Sequence, residues 1–340
     1  MSGFTGTVSD IQVVGTDVWF DGMTGDATAL YRWSGNTLQK ISAVKTDVRV
    51  MQASGKELWI GTMDGVYRWD GQRILKVPGV SGMIYSLHAF GNQIWIGSET
   101  SMDYWDGQSL HHLDTSGMVF QNAQKLGGDV WFDNGFALQR WDGQSITPYS
   151  NVLGVDTMQA DGKNLWIGTI TGLFKWDGDV MSPIPGLNGP VTSIKILGTT
   201  VWIGCGSGLY RLDGTTLSKV PGVVGPIETL GSNGNDFWIS GTESALGPTR
   251  KVWLYHWDGV SAKPITSVTW AVNAFQHLGG NFWIGGGNDD DSEHNLYKWN
   301  GHTLVPVAGI SDVMTLAQDG DDLLIGATDG LYRWRETHTP

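Results

Sequence analysis

The sequence predicts an all-β fold: a single nine-bladed β-propeller of four-stranded antiparallel blades. The first reason is a pair of aromatic-centred segments that recurs nine times along the 340 residues, at intervals of about 36. The second is that each copy divides into four short segments rich in Val, Ile, Trp and Tyr and bounded by Gly, Asp, Asn or Pro, which is typical of strands and turns. No stretch keeps a 3.6-residue period, so almost no helix is expected.

Two aromatic columns define the repeat. The first column is Trp in eight copies and Leu in the ninth: Trp19, Trp59, Trp95, Trp131, Trp166, Trp202, Trp238, Trp283 and Leu324. The second column is Trp in all copies but the sixth: Trp33, Trp69, Trp105, Trp141, Trp176, Leu212, Trp257, Trp299 and Trp334. Sixteen of the 18 tryptophans stand in these columns. We expect them to pack between neighbouring sheets, since a buried Trp covers roughly 150–250 Å².

The strands and turns of one copy can be read directly. In the second copy the four strands are predicted at "VRVMQA", "LWIGT", "VYRWD" and "ILKVP". Between the third and fourth strands most copies carry Asp-Gly or a related pair. Such pairs favour a two-residue hairpin loop with left-handed backbone angles.

The copies predict one domain over residues 1–340, with blades near 1–43, 44–80, 81–116, 117–150, 151–187, 188–223, 224–267, 268–308 and 309–340. After Trp334 the ninth copy has no Gly turn and no full fourth segment. The last blade should therefore have a missing or short outer strand. Its third strand, near Leu331 to Arg335, would then expose an edge, which invites a homo-oligomer through pairing with another chain.

The segments "LWIGTMDGVYRW" (58–69) and "LWIGTITGLFKW" (165–176) resemble the propeller repeats of two-component regulators. The resemblance extends over essentially the whole chain and implies a propeller fold. In that family such repeats form the ligand-sensing domains of membrane histidine kinases, often for oligosaccharides. Similar blades also serve as lectins, lyases and docking scaffolds, so the fold by itself does not determine an activity.

The composition limits the kinds of partner and the cellular location that are expected. The net charge of −13 argues against a nucleic-acid partner, because phosphate binding needs clustered Lys and Arg. Cys205 is the only cysteine, which excludes an intrachain disulfide. No apolar run is long enough to insert in a membrane, and the first ten residues lack the pattern of a signal peptide. The expected location is the cytoplasm, or an exported protein from which a leader was removed.

Three insertions interrupt the repeat, all between the second and third strands. They lie at 21–29, 241–252 and 285–295, in copies one, seven and eight. We expect them on one arc of one face, and insertions in repeat proteins often form the binding face. The sequence thus predicts non-catalytic binding of a glycan or protein segment there, with Asp26, Glu243, Arg250, Trp253, Trp270 and His294 as candidate ligand-binding residues. In the alternative, the insertions drifted independently and the two tryptophans fill gaps beneath them.

The sequence gives weaker evidence for metal binding and catalysis than for ligand binding at the insertions. Asp289, Asp290 and Asp291 could hold calcium through carboxylate oxygens, although they lack the spacing of an EF-hand and also suit a solvated loop. No other cofactor is predicted. The chain has no nucleophile elbow, zinc-binding His pair or phosphate-binding loop. The rival functions are a scaffold in a larger assembly and a lyase or hydrolase that uses His294 with Glu243.

One column of the innermost strands is polar in seven of nine copies, and we expect it to line a central channel. The residues are Gln12, Gln52, His88, Gln124, Gln159, Lys195 and Gln276. The column is interpreted as a structural polar lining, with a ligand-binding ring as the alternative.

Overall fold

The structure is a computed structural model that describes residues 4–99, 101–113, 122–233, 236–243, 251–287, 295–310 and 312–335, with residues 233, 243 and 251 described through their backbone only. Within these residues the chain forms 35 strands and no helix. The strands make nine antiparallel sheets, eight of four strands and a last one of three, each built from strands consecutive in the chain. The fold is the predicted nine-bladed all-β propeller, with the predicted short last blade.

The chain divides into two compact units. The first contains residues 1–119 and 272–340 and holds blades 1, 2, 3, 8 and 9. The second contains residues 120–271 and holds blades 4 to 7. No helix in the described part of the chain is long and apolar enough to cross a membrane.

In the first unit, blades 1 to 3 consist of β1 (Ile11–Val14), β2 (Asp17–Thr24), β3 (Ala27–Ser34), β4 (Thr37–Lys40), β5 (Val48–Ser54), β6 (Glu57–Thr62), β7 (Gly65–Trp69), β8 (Ile74–Lys76), β9 (Ile84–Phe90), β10 (Gln93–Ser98), β11 (Met102–Trp105) and β12 (Leu110–Leu113). The second unit consists of β13 (Ala123–Leu126), β14 (Asp129–Asp133), β15 (Ala137–Trp141), β16 (Ile146–Leu153), β17 (Val155–Ala160), β18 (Leu165–Thr169), β19 (Gly172–Trp176), β20 (Met181–Pro183), β21 (Val191–Leu197), β22 (Thr200–Cys205), β23 (Gly208–Asp213), β24 (Thr216–Lys219), β25 (Thr229–Asn233), β26 (Asp236–Glu243), β27 (Lys251–Trp257) and β28 (Ala262–Pro264). Blades 8 and 9 consist of β29 (Ala271–Leu278), β30 (Asn281–Gly287), β31 (Leu296–Trp299), β32 (Leu304–Val307), β33 (Val313–Asp319), β34 (Asp322–Ala327) and β35 (Leu331–Arg335).

The aromatic columns pack adjacent blades together inside each unit, as the sequence predicts. A first-column ring of one blade contacts the second-column ring of the next. In the first unit the centroid distances are 5.2 Å for Trp19 and Trp69, 5.8 Å for Trp59 and Trp105, and 5.7 Å for Trp283 and Trp334. In the second unit they are 5.1 Å for Trp131 and Trp176 and 4.9 Å for Trp202 and Trp257.

A cation stands between the paired rings. In blade 4 the guanidinium of Arg140 lies 5.7 Å from the Trp131 ring centroid and 5.4 Å from that of Trp176, and its Nε donates to Asp129 at 2.8 Å. Arg32 and Arg68 are placed in the same way in blades 1 and 2. These contacts combine cation–π attraction with an ion pair at the edge of each interface.

The turns between third and fourth strands have the predicted left-handed glycines, such as Gly71 with φ +96°. In blades 2, 3, 4, 5 and 7 the side chain of the Asp that precedes this glycine closes the turn. In blade 2 the Asp70 carboxylate accepts the backbone N–H groups of Gln72 and Arg73, both at 2.9 Å. These two bonds hold the pKa of Asp70 below its usual value. This local chemistry explains why Asp-Gly recurs there.

Candidate functional site

The insertions of blades 1 and 7 are built by lengthening strands. In blade 1, β2 and β3 pair from Asp17 and Ser34 out to Thr24 and Ala27, so the insertion is a regular hairpin with Asp26 exposed at its tip. In blade 7, β26 and β27 extend to a last pair between Glu243 and Lys251. Arg250, His294, Asp289, Asp290 and Asp291 lie outside the described residues, and Glu243 is described through its backbone only.

Trp253 is held by the second unit at the base of the blade-7 insertion. It pairs with Gly241 across the β26–β27 hairpin, at a position where β7 has Gly65. Its half-buried indole lies against Gly225, where a Cβ atom would approach the ring to 2.6 Å. Gly225 has φ +80°, so the backbone conformation and the close ring both favour glycine there.

A pocket of about 320 Å³ opens beside this tryptophan, within the second unit. Its lining is mostly apolar, with hydroxyls from threonine and tyrosine, and consists of Val252, Trp253, Leu254, Tyr255, Pro264, Ile265, Thr266, Val268 and Thr269. Two hydrogen bonds hold lining residues in place. The Ile265 N–H donates to the Leu254 carbonyl at 2.8 Å, and the Val224 N–H donates to the Tyr255 hydroxyl at 3.3 Å. The pocket can therefore hold an apolar group against an aromatic ring.

Glu228 lies near the same insertion, and the repeat pattern of the sequence does not mark it as a candidate site residue. The Thr242 hydroxyl donates to its carboxylate, at 2.9 and 3.1 Å from the two oxygens. Glu228 is exposed, so it brings a negative charge to the side of blade 7 where the insertion lies. Only the β25–β26 geometry joins Glu228 to Thr242, which is why the sequence does not predict this pair.

Trp270 is not available for stacking. Its side chain is 2% exposed, so it is part of the packed interior. This burial argues against Trp270 as a ligand-binding residue and supports the alternative that it fills a gap beneath the insertion. Aromatic side chains have a large apolar area, and burying it is the commoner outcome.

The seven polar residues of the innermost strands are all half-buried: Gln12, Gln52, His88, Gln124, Gln159, Lys195 and Gln276. Several satisfy nearby backbone groups. Gln52, Gln159 and Gln276 donate to the carbonyl of the following residue at 2.9, 3.3 and 2.9 Å. Gln12 accepts the Ala53 N–H at 3.1 Å and so links blade 1 to blade 2. These bonds favour the structural interpretation, and a ligand-binding ring stays a prediction.

Blade 3 contains a cluster that the sequence does not reveal. The Asp103 carboxylate, 1% exposed, accepts hydrogen bonds from the Ser101 hydroxyl at 2.5 Å and contacts His112 Nδ1 at 3.0 Å. Because the carboxylate stands between hydroxyl and imidazole, the serine is not placed to give its proton to the histidine, as nucleophilic catalysis requires. In the described residues no group of three or more His, Cys, Asp or Glu is placed to hold a metal ion.

A second opening, of about 570 Å³, lies in the first unit beside β35. Its lining includes Trp283, Trp334, Asn281 and a charged cluster. In that cluster the Arg335 guanidinium donates to both oxygens of Asp322, at 2.7 and 2.6 Å, and Arg333 donates to the same carboxylate at 2.9 Å. Arg335, and then Arg333, lower the pKa of Asp322. We call this opening the blade-9 cleft.

Comparison with known proteins gives the fold and no family. No protein-family profile and no curated protein matches the sequence. The structure is similar to the computationally designed Ika8 protein, with a TM-score of 0.62 at 15% identity over 99% of this chain and 98% of that one. It is also similar to BamB from Moraxella catarrhalis, with a TM-score of 0.50 at 14% identity over 97% and 95%.

One further similar structure is the extracellular domain of BT4673 from B. thetaiotaomicron, described as a one-component or hybrid two-component system. The TM-score is 0.47 at 14% identity, over 97% of this chain and 51% of that one. The present chain therefore spans about half of that structure, and the likeness at this level carries no argument about function.

Proposed function

We propose that the protein is a non-catalytic binding protein that recognises a peptide or glycan segment beside the insertion of blade 7. The observation that carries this proposal is the pocket beside the blade-7 insertion. It joins a concave apolar surface to Trp253, a ring that belongs to neither packing column. Concave, mostly apolar surfaces with a few polar groups are the usual form of ligand sites.

The lining favours a peptide side chain over a sugar ring. A sugar presents several hydroxyls, which lose hydrogen bonds to water unless the site supplies polar partners. The polar side chains of the lining are Tyr255, Thr266 and Thr269, and the Tyr255 hydroxyl already accepts the Val224 N–H. For a glycan, Glu243 and Arg250 would have to supply the remaining contacts.

Display selection tests the proposal directly. A random peptide display library and a glycan array are screened against the parent protein, and the binders are measured again on Trp253→Ala and Phe136→Ala. Phe136 is 59% exposed in blade 4 and is the matched control for losing an exposed aromatic ring. We expect a class of binders that weakens at least about tenfold on Trp253→Ala alone. If every binder tolerates Trp253→Ala, or none is recovered from either screen, the proposal is wrong.

A further inference from the structure

We propose that an apolar surface shared by blades 4 and 5 docks an amphipathic segment of a partner protein, one that carries apolar side chains together with a lysine or arginine. The surface consists of Phe136, Leu153 and Ile170, with the exposed carboxylate of Asp156 close by in the chain, and we call it the blade-4/5 patch. It lies within the second unit. It is separate from the blade-7 pocket, and the proposal does not rest on the function proposed above.

The three apolar side chains of the patch are open to water. Phe136 is 59% exposed, Leu153 48% and Ile170 52%. In the part of the chain that the structure describes, Phe136 makes no contact with another aromatic ring. Single exposed apolar residues are common, but neighbouring large ones mark interaction surfaces.

Gly154 brings these side chains together. Its N–H donates to the Phe136 carbonyl at 3.1 Å, and its carbonyl accepts the Ile170 N–H at 2.9 Å. The Ile170 side chain lies directly over this glycine, where a Cβ atom would approach it to 2.8 Å. Gly154 has φ +60°, so the backbone conformation and the close side chain both favour glycine. Since Leu153 precedes Gly154, all three apolar residues meet at this point.

The turn that carries Phe136 is held by local hydrogen bonds. The side-chain oxygen of Asn134 accepts the N–H groups of Phe136 and Ala137, at 3.2 and 2.9 Å. The Asp133 carboxylate accepts the Gly135 N–H at 3.1 Å. A partner would therefore meet a preformed surface, which reduces the entropy lost on binding.

The repeat itself does not require apolar residues at these places. At the place of Phe136 the other blades without an insertion carry a polar residue: Asp64, Thr100, Thr171, Ser207 and Asp329. At the place of Leu153 most connections between blades also carry a polar residue: Lys45, Ser81, Asn188, Thr269 and Ser311. The fold is thus built with polar residues at both positions in other blades, which points to a role outside blade packing for Phe136 and Leu153.

The charge around the patch is negative. The strand ends and connections that surround it contain no Lys, Arg or His: residues 133–137, 150–157, 169–172 and 184–191. Their two carboxylates are Asp133, which is buried, and Asp156, which is exposed at the bulge of β17. Within the described structure the Asp156 carboxylate has no hydrogen bond or ion pair. Partial burial raises its pKa, because no group of the chain stabilises the charged form.

These features specify the occupant. Apolar side chains of the partner would remove Phe136, Leu153 and Ile170 from water, and a lysine or arginine would pair with Asp156. The net charge of −13 also favours the approach of a basic partner. A second copy of this chain fits less well, because two patches that met face to face would bring like carboxylates together.

A random peptide display library supplies the probe. The library is depleted on Phe136→Thr, which puts at this place the residue type of blade 5, and is then selected on the full parent chain. We expect the recovered peptides to combine apolar residues with Lys or Arg. Their affinities, measured by fluorescence anisotropy, should fall at least about tenfold on both Phe136→Thr and Ile170→Thr. Urea midpoints close to that of the parent show that each variant is folded.

Blade 5 offers matched controls. Val180 is 53% exposed, against 52% for Ile170, and Asp179 next to it is exposed like Asp156. Val180→Thr and Asp179→Lys should bind the peptides as the parent does. Asp156→Lys should weaken the selected peptides and should accept versions in which Glu replaces their Lys or Arg.

Three results would overturn the proposal. They are a selection that recovers no peptide, recovered peptides that bind equally well when Gln replaces their Lys or Arg, and equal changes of preference in Asp156→Lys and Asp179→Lys. Sedimentation of the parent chain tests the other occupant. A dimer that Phe136→Thr dissociates would show that a second copy covers the patch, and the partner segment proposed here would then be wrong.

Discussion

Trp19 of blade 1 and Trp69 of blade 2 lie with their ring centroids 5.2 Å apart, and the guanidinium of Arg32 lies 4.7 Å from the Trp69 ring. The same arrangement of ring, cation and ring recurs in blades 2 and 4 of the described structure. Each pair joins one blade to the next, so these tryptophans are structural. Under the proposed function, recognition falls to residues outside the two columns.

The cation between the rings should contribute to stability. Arg140→Met removes the ion pair with Asp129 and both cation–π contacts, and we expect it to lower the free energy of unfolding by about 1–2 kcal/mol. Urea denaturation measures the change, with the exposed Lys163→Met as the control. Equal losses in the two variants would show that the stacked cation adds nothing to the interface.

Gly225 and Trp253 should be energetically coupled. Gly225→Ala places a methyl group 2.6 Å from the Trp253 ring at φ +80°, so we expect a loss of roughly 1–3 kcal/mol. In a Trp253→Ala background only the backbone strain remains, and the loss should be smaller. A double-mutant cycle by urea denaturation measures the difference. Additive losses would mean that the ring does not rest on this glycine.

Asp10 should lower stability at neutral pH. Burial, followed by the nearby charge of Asp21, raises the pKa of Asp10, although Gln12 and the Met51 N–H donate to it. A raised pKa in the folded state means that the stabilising contribution exists at low pH and is lost as pH rises through that pKa. The stability of Asp10→Asn relative to the parent should therefore increase from pH 3.5 to pH 7, as followed by urea midpoints. A difference that stays constant with pH contradicts this assignment.

Asp322 should show the opposite dependence. Arg335 and Arg333 lower its pKa, so its contribution is present above the unfolded-state pKa and is lost as pH falls through the lower folded-state value. Asp322→Asn should lower the free energy of unfolding most at neutral pH, and this loss should become smaller in acid. The same urea series measures this loss of stability at each pH. A loss that grows as pH falls would contradict the prediction.

The sequence predicts the blades well and the sites poorly, for a physical reason. Trp59 and Trp69 belong to columns that recur along the chain because every blade must fill the same gap, so periodicity alone identifies them. Trp270 falls outside the columns, and the sequence does not tell whether its ring enters the interior or faces water. Asp103 and His112 meet only because β11 and β12 pair in one register. The pocket and the cleft depend on such cross-strand neighbours, which a linear pattern does not contain.

The central claim is that the paired tryptophans hold the blades together, whereas Trp253 lies outside the pairs and contributes less to the stability of the fold. The most direct measurement compares the free energies of unfolding of Trp59→Ala and Trp253→Ala by urea denaturation. We predict a loss of about 3–5 kcal/mol for Trp59→Ala, whose ring is 0% exposed, and less than half of that for the half-buried Trp253→Ala. Equal losses in the two variants, or a smaller loss for Trp59→Ala, would contradict the account.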